Sequence, residues 1–358
     1  MSLISIDQSF STGVNAGSKA RNDATRILER IGFSHESIKC TLDPSPLAIA
    51  RDLFSMEKQL LYLIASLQPG DIALLQFPYR CFRTSTAHKL SRIARAHKIK
   101  LIALVHDLDS LRRDNALERI GSYSFTERLH CDVEFLRHFD IVIAHNTAMK
   151  GYLVSSGLDS DGIVELNLFD YLCNAPQRDS HSQLSHITVA GNLAPSKAGY
   201  LYHLQEISNL GDLIFDLYGN GYDNVMTHDA IKVHGAISPD LLPAAMPDGF
   251  GLVWDGPEIG KCSGAYGSYL MFNNPHKLSL YYASGLIPIV WTKSATASFV
   301  KETQSGICVD SLESIPNVIE NFNESDLTKL RTNAASVQQR ATSGYYLKTA
   351  IEAALSKL

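Results

Sequence analysis

The chain has 358 residues, 45% of them hydrophobic and 19% charged, and a formal net charge of −5. That length suggests two domains, each able to bury a core, and the composition is that of a globular chain rather than a disordered one. The weak negative charge, without any long run of Lys or Arg, gives nucleic acid no footing.

No segment approaches the roughly 18 consecutive apolar residues needed to span a bilayer. The N-terminal MSLISIDQSFSTG lacks the basic region and apolar core of a secretory signal. The expected setting is the cytoplasm, or the inner face of the membrane as a peripheral protein. The cysteines at 40, 81, 131, 173, 262 and 308 form no CxxC pair, which argues against a zinc knuckle or a disulfide scaffold.

Taken in order, short apolar runs alternate with helix-length segments. Strands are expected at 2–7, 71–77, 100–106, 140–146 and 163–169, with helical spacing at 18–31, 51–67, 85–97 and 127–138. Such alternation implies right-handed βαβ units and a mainly parallel sheet. The polar stretch 174–185, NAPQRDSHSQLS, breaks the pattern and reads as a linker. Alternation resumes with strands at 186–192, 213–219, 231–237, 250–256, 286–292 and 306–312. A helical segment then runs from 324 to 358, with a break at Ser343–Gly344. The fold class is therefore α/β, with two doubly wound domains at 1–173 and 186–323, and C-terminal helices that pack back on the first domain or on a subunit.

On doubly wound sheets, ligands bind beyond the carboxyl ends of the strands, so loops after strands carry the candidates. In NNPHKLSLYYASGLIPIVW (273–291), Asn274 can cap a helix, Pro275 suits its first position, and Gly285 suits its end. The first turn of a helix is its positive end and favours acidic side chains. Here it holds His276 and Lys277 instead, which suits an anionic ligand such as a phosphate. The preceding loop carries Gly260, Gly264 and Gly267, where backbone could approach that ligand. Asn192 and Lys197 follow the strand at 186–192, while Tyr218, Gly219 and Asn220 end the next one. These three loops can line one edge of the second sheet and grip a nucleotide, with Tyr218 on the base or ribose.

In the first domain, His106, Asp107 and Asp109 lie at the exit of KLIALVH and could serve as a general base. Asp107–Leu108–Asp109 also has the spelling of a carboxylate pair that shares a divalent cation with a diphosphate. Capping of the next helix, or pairing with Arg112 or Arg113, explains the same residues structurally. The loop SFSTGVNAGSKARND (9–23) offers Asn15, Gly17 and Ser18 to an acceptor or phosphate. It is not GxGxxG, which disfavours a nicotinamide. Pro78, Tyr79 and Arg80 end another strand, as an acceptor surface or a packed corner.

Pro275-His276-Lys277 followed by an apolar helix and Ala283-Ser-Gly-Leu-Ile-Pro-Ile-Val290 resembles the nucleotide-sugar end of glycosyltransferases with the GT-B fold. With GLVWDG (251–256), AGSKARND (16–23) and VHDLDSLR (105–112), the chain is similar to one bacterial subfamily. That subfamily includes β-1,6-galactofuranosyltransferases and the glucosyltransferase that extends glycans on serine-rich-repeat adhesins. The resemblance implies two Rossmann-like domains facing across a cleft, with a UDP-sugar held by the second and a glycan, glycolipid or glycoprotein acceptor held by the first. It implies inverting transfer of glucose or galactofuranose, no cofactor, no obligatory metal, and a homotetramer or homodimer. Leu280 departs from the pattern, since many GT-B enzymes place Glu there to hold the ribose; Asp255 or Glu258 are the alternatives. Two other readings share the layout: a UDP-sugar 2-epimerase, which needs no acceptor, and a catalytically silent partner subunit.

Overall fold

A computed structural model describes residues 1–10, 16–40, 45–79, 84–111, 132–178, 184–223 and 229–358. Those residues form two compact units. The first is Met1–Leu166 with Leu347–Leu358, and the second is Asn167–Tyr346.

The sheet of the first unit contains β1 (Leu3–Phe10), β2 (Ser34–Cys40), β3 (Ile72–Phe77), β4 (Lys100–Val105), β5 (Ile141–Ala144) and β6 (Ile163–Glu165). Its order is β2-β1-β3-β4-β5-β6, with every pairing parallel. Parallel strands covered on both faces read as near-continuous apolar runs. All six residues of β3, IALLQF, are buried accordingly. Helices Ala16–Arg30, Pro46–Ser66, Thr84–His97, Asp132–Leu136 and Thr147–Ser155 lie between the strands. Ile6, Leu60, Leu75, Leu90, Ala103 and Phe135 belong to one packed core.

In the second unit, β7 (His186–Asn192), β8 (Ile214–Asn220), β9 (Ile231–Gly235), β10 (Phe250–Val253), β11 (Ile287–Trp291) and β12 (Ile307–Val309) take the order β12-β11-β10-β7-β8-β9. Its described pairings are also parallel. From β7 the chain steps outward through β8 to β9, then returns to the other side of β7 and steps through β10 to β12. The reversal lies between β7 and β10, which is where doubly wound sheets open a ligand crevice.

One strand was not expected: β2, whose sequence SHESIKC buries Ile38 while most of the rest stays exposed. It sits at the sheet's edge, where one apolar contact and backbone pairing to β1 suffice.

The units divide at Leu166, ahead of the expected linker. Arg178 explains why much of that polar stretch belongs to the second unit. Its guanidinium donates to the carbonyls of Ser284, Met246 and Pro243, at 2.7, 2.8 and 3.1 Å. Residues 179–183 of the stretch lie outside the described residues. At the other end, helix Glu324–Ser343 stops at Gly344, whose φ of 87° is the left-handed turn that the sequence marks as a break. That helix belongs to the second unit, and Leu347–Leu358 to the first.

Candidate active site

The crevice between β7 and β10 is held open by one side chain. The two strands pair only at Phe250↔Ile187 and Gly251↔Thr188. Beyond that point the Tyr281 hydroxyl bridges them, accepting from Ala190 N at 2.9 Å and donating to Leu252 O at 3.1 Å. Gly251 makes the arrangement possible, because a Cβ there would stand 2.2 Å from the Tyr281 ring. Tyr281 belongs to helix His276–Ala283, whose residues from Leu278 onward are all buried. The helix is thereby locked against both strands at the reversal point.

This locking fixes the first turn of the helix. It holds no acidic residue and no side-chain cap. Pro275, rather than Asn274, is the capping residue. Asn274 is buried and its amide donates to Asn167 O at 3.0 Å, so it anchors the preceding loop instead of capping. His276 stacks on Tyr171, with ring centroids 5.0 Å apart, and meets the edge of Phe169.

Lys277 reaches across to the exit of β10. Its Nζ donates to Trp254 O at 3.1 Å and to Asp255 Oδ1 at 2.8 Å. An ammonium has three N–H donors, and the third has no partner among the described residues. Lys197, in the turn after β7, stands 3.9 Å from the other oxygen of Asp255 and lies over the Tyr266 ring. The two loops are tied by backbone: Gly256 N donates to Lys197 O, and Tyr200 N to Gly256 O. Two cations thus converge on one carboxylate that is only 6% exposed. A second anion brought to this place would meet both lysines.

The loop after β7 turns with Asn192, which is exposed and accepts from Ala194 N through its side chain. Asn192 pairs in register with exposed Asn220 of β8. Gly219 serves this pairing: with φ of 151°, a Cβ would fall 1.8 Å from Gly191 O. Tyr218 requires a correction. It is 3% exposed, its hydroxyl donates to Ala245 O at 3.0 Å, and its ring stacks on His234 at 4.5 Å. Tyr218 is a packing residue, not a platform for a base. Gly267 likewise makes room for the protein itself, since a Cβ would press on Asp255 O. Glu258 turns to the surface and accepts from Ser263 Oγ.

In the first unit, His106 and its neighbours follow β4. His106 Nε2 lies 2.8 Å from Gln76 Oε1. The Gln76 amide nitrogen donates to Thr25 Oγ1 and Arg21 O, which leaves Oε1 as the acceptor and puts the His106 proton on Nε2. Asp107 is half-buried and Asp109 exposed. A carboxylate that sequence reading passed over, Asp132, anchors this loop by accepting from Ser110 N at 2.7 Å. Burial, with Asp109 and Asp107 nearby, pushes its pKa up to about 6. Arg112 and Arg113 lie outside the described residues, as does Asn15.

Gly17 and Ser18 open helix Ala16–Arg30, and Ser18 is half-buried. The charged residues after them are structural: Lys19 pairs with Asp23 at 2.7 Å, and Arg21 with Asp7 at 2.6 Å and with the carbonyls of Gln76 and Pro78. Tyr79 is 2% exposed with its hydroxyl on Ile6 O, which makes it a packed corner. Arg80 falls outside the described residues.

Comparison with known proteins gives the family of the chain. The glucosyltransferase 3-like N-terminal domain matches residues 6–168, and the glucosyltransferase 3-like C-terminal domain matches residues 187–354. The chain belongs to the glucosyltransferase 3-like family. Among its relatives, β-1,6-galactofuranosyltransferase WbbI of Escherichia coli K12 is 29% identical over 96% of both chains. Glucosyltransferase 3 of Streptococcus gordonii is 21% identical over 92% of this chain and 91% of its own. A solved structure of Anabaena Alr3699/HepE, in complex with UDP and glucose, aligns over 100% of both chains with a TM-score of 0.60 at 13% identity. This glucosyltransferase 3-like chain thus has the GT-B fold and is a glycosyltransferase. No described helix is long and apolar enough to cross a membrane.

Two parts of the site in this glucosyltransferase 3-like chain were hidden in its sequence. Asp255 was named in the sequence only as an alternative partner for the ribose, and what stayed hidden is that Lys277 and Lys197 meet on it. Tyr281 reads as one more apolar helix position, and its signal was Gly251 in an otherwise bulky strand.

Proposed function

We propose that this chain transfers a hexose, glucose or galactofuranose, from a UDP-sugar to a hydroxyl of a glycan, glycolipid or glycoprotein acceptor. The observation that carries the donor assignment is the convergence of Lys277 and Lys197 on Asp255 at the strand-order reversal of the second sheet. As the glycosidic bond to UDP breaks, negative charge grows on the leaving diphosphate. Lys277, held in place by Asp255 and Trp254 O, supplies a fixed positive charge there, and Lys197 supplies another. Side chains that already carry this charge leave the chemical step without need of a metal. Asn192 and Asn220 are assigned to the donor as exposed polar groups beside the same edge.

The acceptor and its base are assigned to the first unit. The base is drawn from His106, Asp107 and Asp109, with Asp107 favoured. It removes the acceptor proton as the hydroxyl attacks the anomeric carbon from the face opposite UDP, which inverts the configuration. Asp132 acts as a positioning residue through Ser110 N. The proposed transfer has its place in surface-polysaccharide or glycoprotein glycan synthesis, the setting that the resemblance of the sequence implies.

The experiment is a donor screen of UDP-glucose, UDP-galactose, UDP-galactofuranose and UDP-GlcNAc, with product analysis in the presence and absence of glycan acceptors. The expected outcome is one donor consumed with UDP released and the sugar joined to acceptor. Conversion of a UDP-sugar to its 2-epimer without acceptor contradicts the transferase reading, and absence of UDP binding contradicts both.

A further inference from the structure

On the first unit, three side chains that have no role in the proposed transfer converge. His88 lies on helix Thr84–His97, Glu134 on helix Asp132–Leu136, and His138 just beyond it. One ligand atom from each falls within 4.8 Å of the other two. The two imidazoles meet edge to face with centroids 4.3 Å apart, and His138 Nε2 stands 3.9 Å from Glu134 Oε1. His138 Nε2 is buried and has no hydrogen-bond partner among the described residues. A buried nitrogen without a partner is costly unless something binds it.

We infer that His88, Glu134 and His138 form a zinc site that joins helix Thr84–His97 to the segment carrying Asp132. Two imidazoles and one carboxylate suit Zn²⁺ with a water in the fourth position, whereas Mg²⁺ and Ca²⁺ favour oxygen ligands. Ligand atoms around tetrahedral zinc lie roughly 3.3 Å apart, given bonds of about 2.0–2.1 Å. The required closure, up to about 1.5 Å, is within reach of His88, which is exposed, and of Glu134, whose side chain is 35% exposed. Glu134 also faces Arg137 at 3.7 Å, but that guanidinium has a firmer partner in Ser156 O. The proposed metal keeps a water ligand, and no reaction is assigned to it. It ties down the stretch from Asp132 to His138, whose first residue holds Ser110 N and so the loop that follows β4. The inference is independent of the donor assignment.

The test uses full-length, untagged protein stripped with a chelator. Zinc uptake is measured by competition with a chromophoric chelator, and Co²⁺ substitution reports the ligand geometry through its visible absorption. The expected result is about one zinc per chain, a rise in Tm on adding zinc, and affinity lowered at least about ten-fold by His88→Ala and by Glu134→Gln. Circular dichroism in chelator confirms that both variants are folded, and Lys277→Ala binds zinc as the unaltered chain does. A chain that takes up no zinc at micromolar concentration overturns the inference. Uptake that neither substitution weakens also overturns it, because the metal then lies elsewhere.

Discussion

Lys277 is a half-buried cation held by a carboxylate and a carbonyl, so its position is set before any ligand arrives. Removing one such preorganised contact typically lowers turnover by about 10²–10³-fold. Lys277→Ala is expected to show that loss in kcat at saturating donor, with an unchanged circular dichroism spectrum. Near-normal turnover removes Lys277 from the site. Asp255 makes a different prediction, because it is 6% exposed and faces both lysines. Breaking a buried charge pair from one side costs on the order of 3 kcal/mol. Asp255→Ala should lower unfolding stability by about that amount in urea titration. Asp255→Asn combined with Lys277→Met should recover much of the stability and none of the activity. At this scale the sequence was informative about charge and silent about partners. Lys277 stood out because a helix start lacked its usual acid. Tyr218 misled because a strand-end tyrosine reads the same whether its ring faces a ligand or His234.

Among the elements, Tyr281 decides how helix His276–Ala283 sits on the sheet. Its hydroxyl satisfies Ala190 N and Leu252 O where β7 and β10 no longer pair. Tyr281→Phe leaves both backbone groups without that partner, at a cost of about 1–3 kcal/mol for each buried group left unmet. The expected result is a fall in Tm together with a higher donor KM, since the helix start moves with its anchor. A lower Tm with an unchanged KM contradicts this coupling. The central strands were legible because burial on both faces makes β3, β4, β10 and β11 near-continuous apolar runs, broken only by Gln76 in β3 and by the exposed Lys100 that starts β4. β2 was not, because an edge strand buries one side chain and draws the rest of its support from backbone pairing to β1. At Arg178 the expected linker differs from its reading for a related reason. Its polar residues read as solvent-facing, yet Arg178 spends its donors on three carbonyls of the second unit.

For the whole molecule, the two-sheet plan followed from strand–helix alternation. The strand order, and with it the reversal between β7 and β10, could come only from the structure. Stability has its own dependence on pH through His145, which is 1% exposed at the end of β5. Burial lowers its pKa to about 3, against 6.5 for a free imidazole. The folded state therefore resists protonation that the unfolded chain accepts. His145 costs no stability above about pH 6.5, and stability falls progressively as pH drops from there toward 3. Between pH 7 and 4.5 that loss is about 2–3 kcal/mol, at 1.36 kcal/mol per unit. His145→Gln should flatten the urea midpoint over this range relative to the unaltered chain, and equal slopes contradict the assignment.

The donor site itself is tested most directly by a crystal structure of the chain with UDP. The diphosphate is expected at the ends of β7 and β10, with an oxygen about 3 Å from Lys277 Nζ and Lys197 within reach of the same group. Diphosphate density on the first unit, or elsewhere on the second and out of contact with both lysines, contradicts the account.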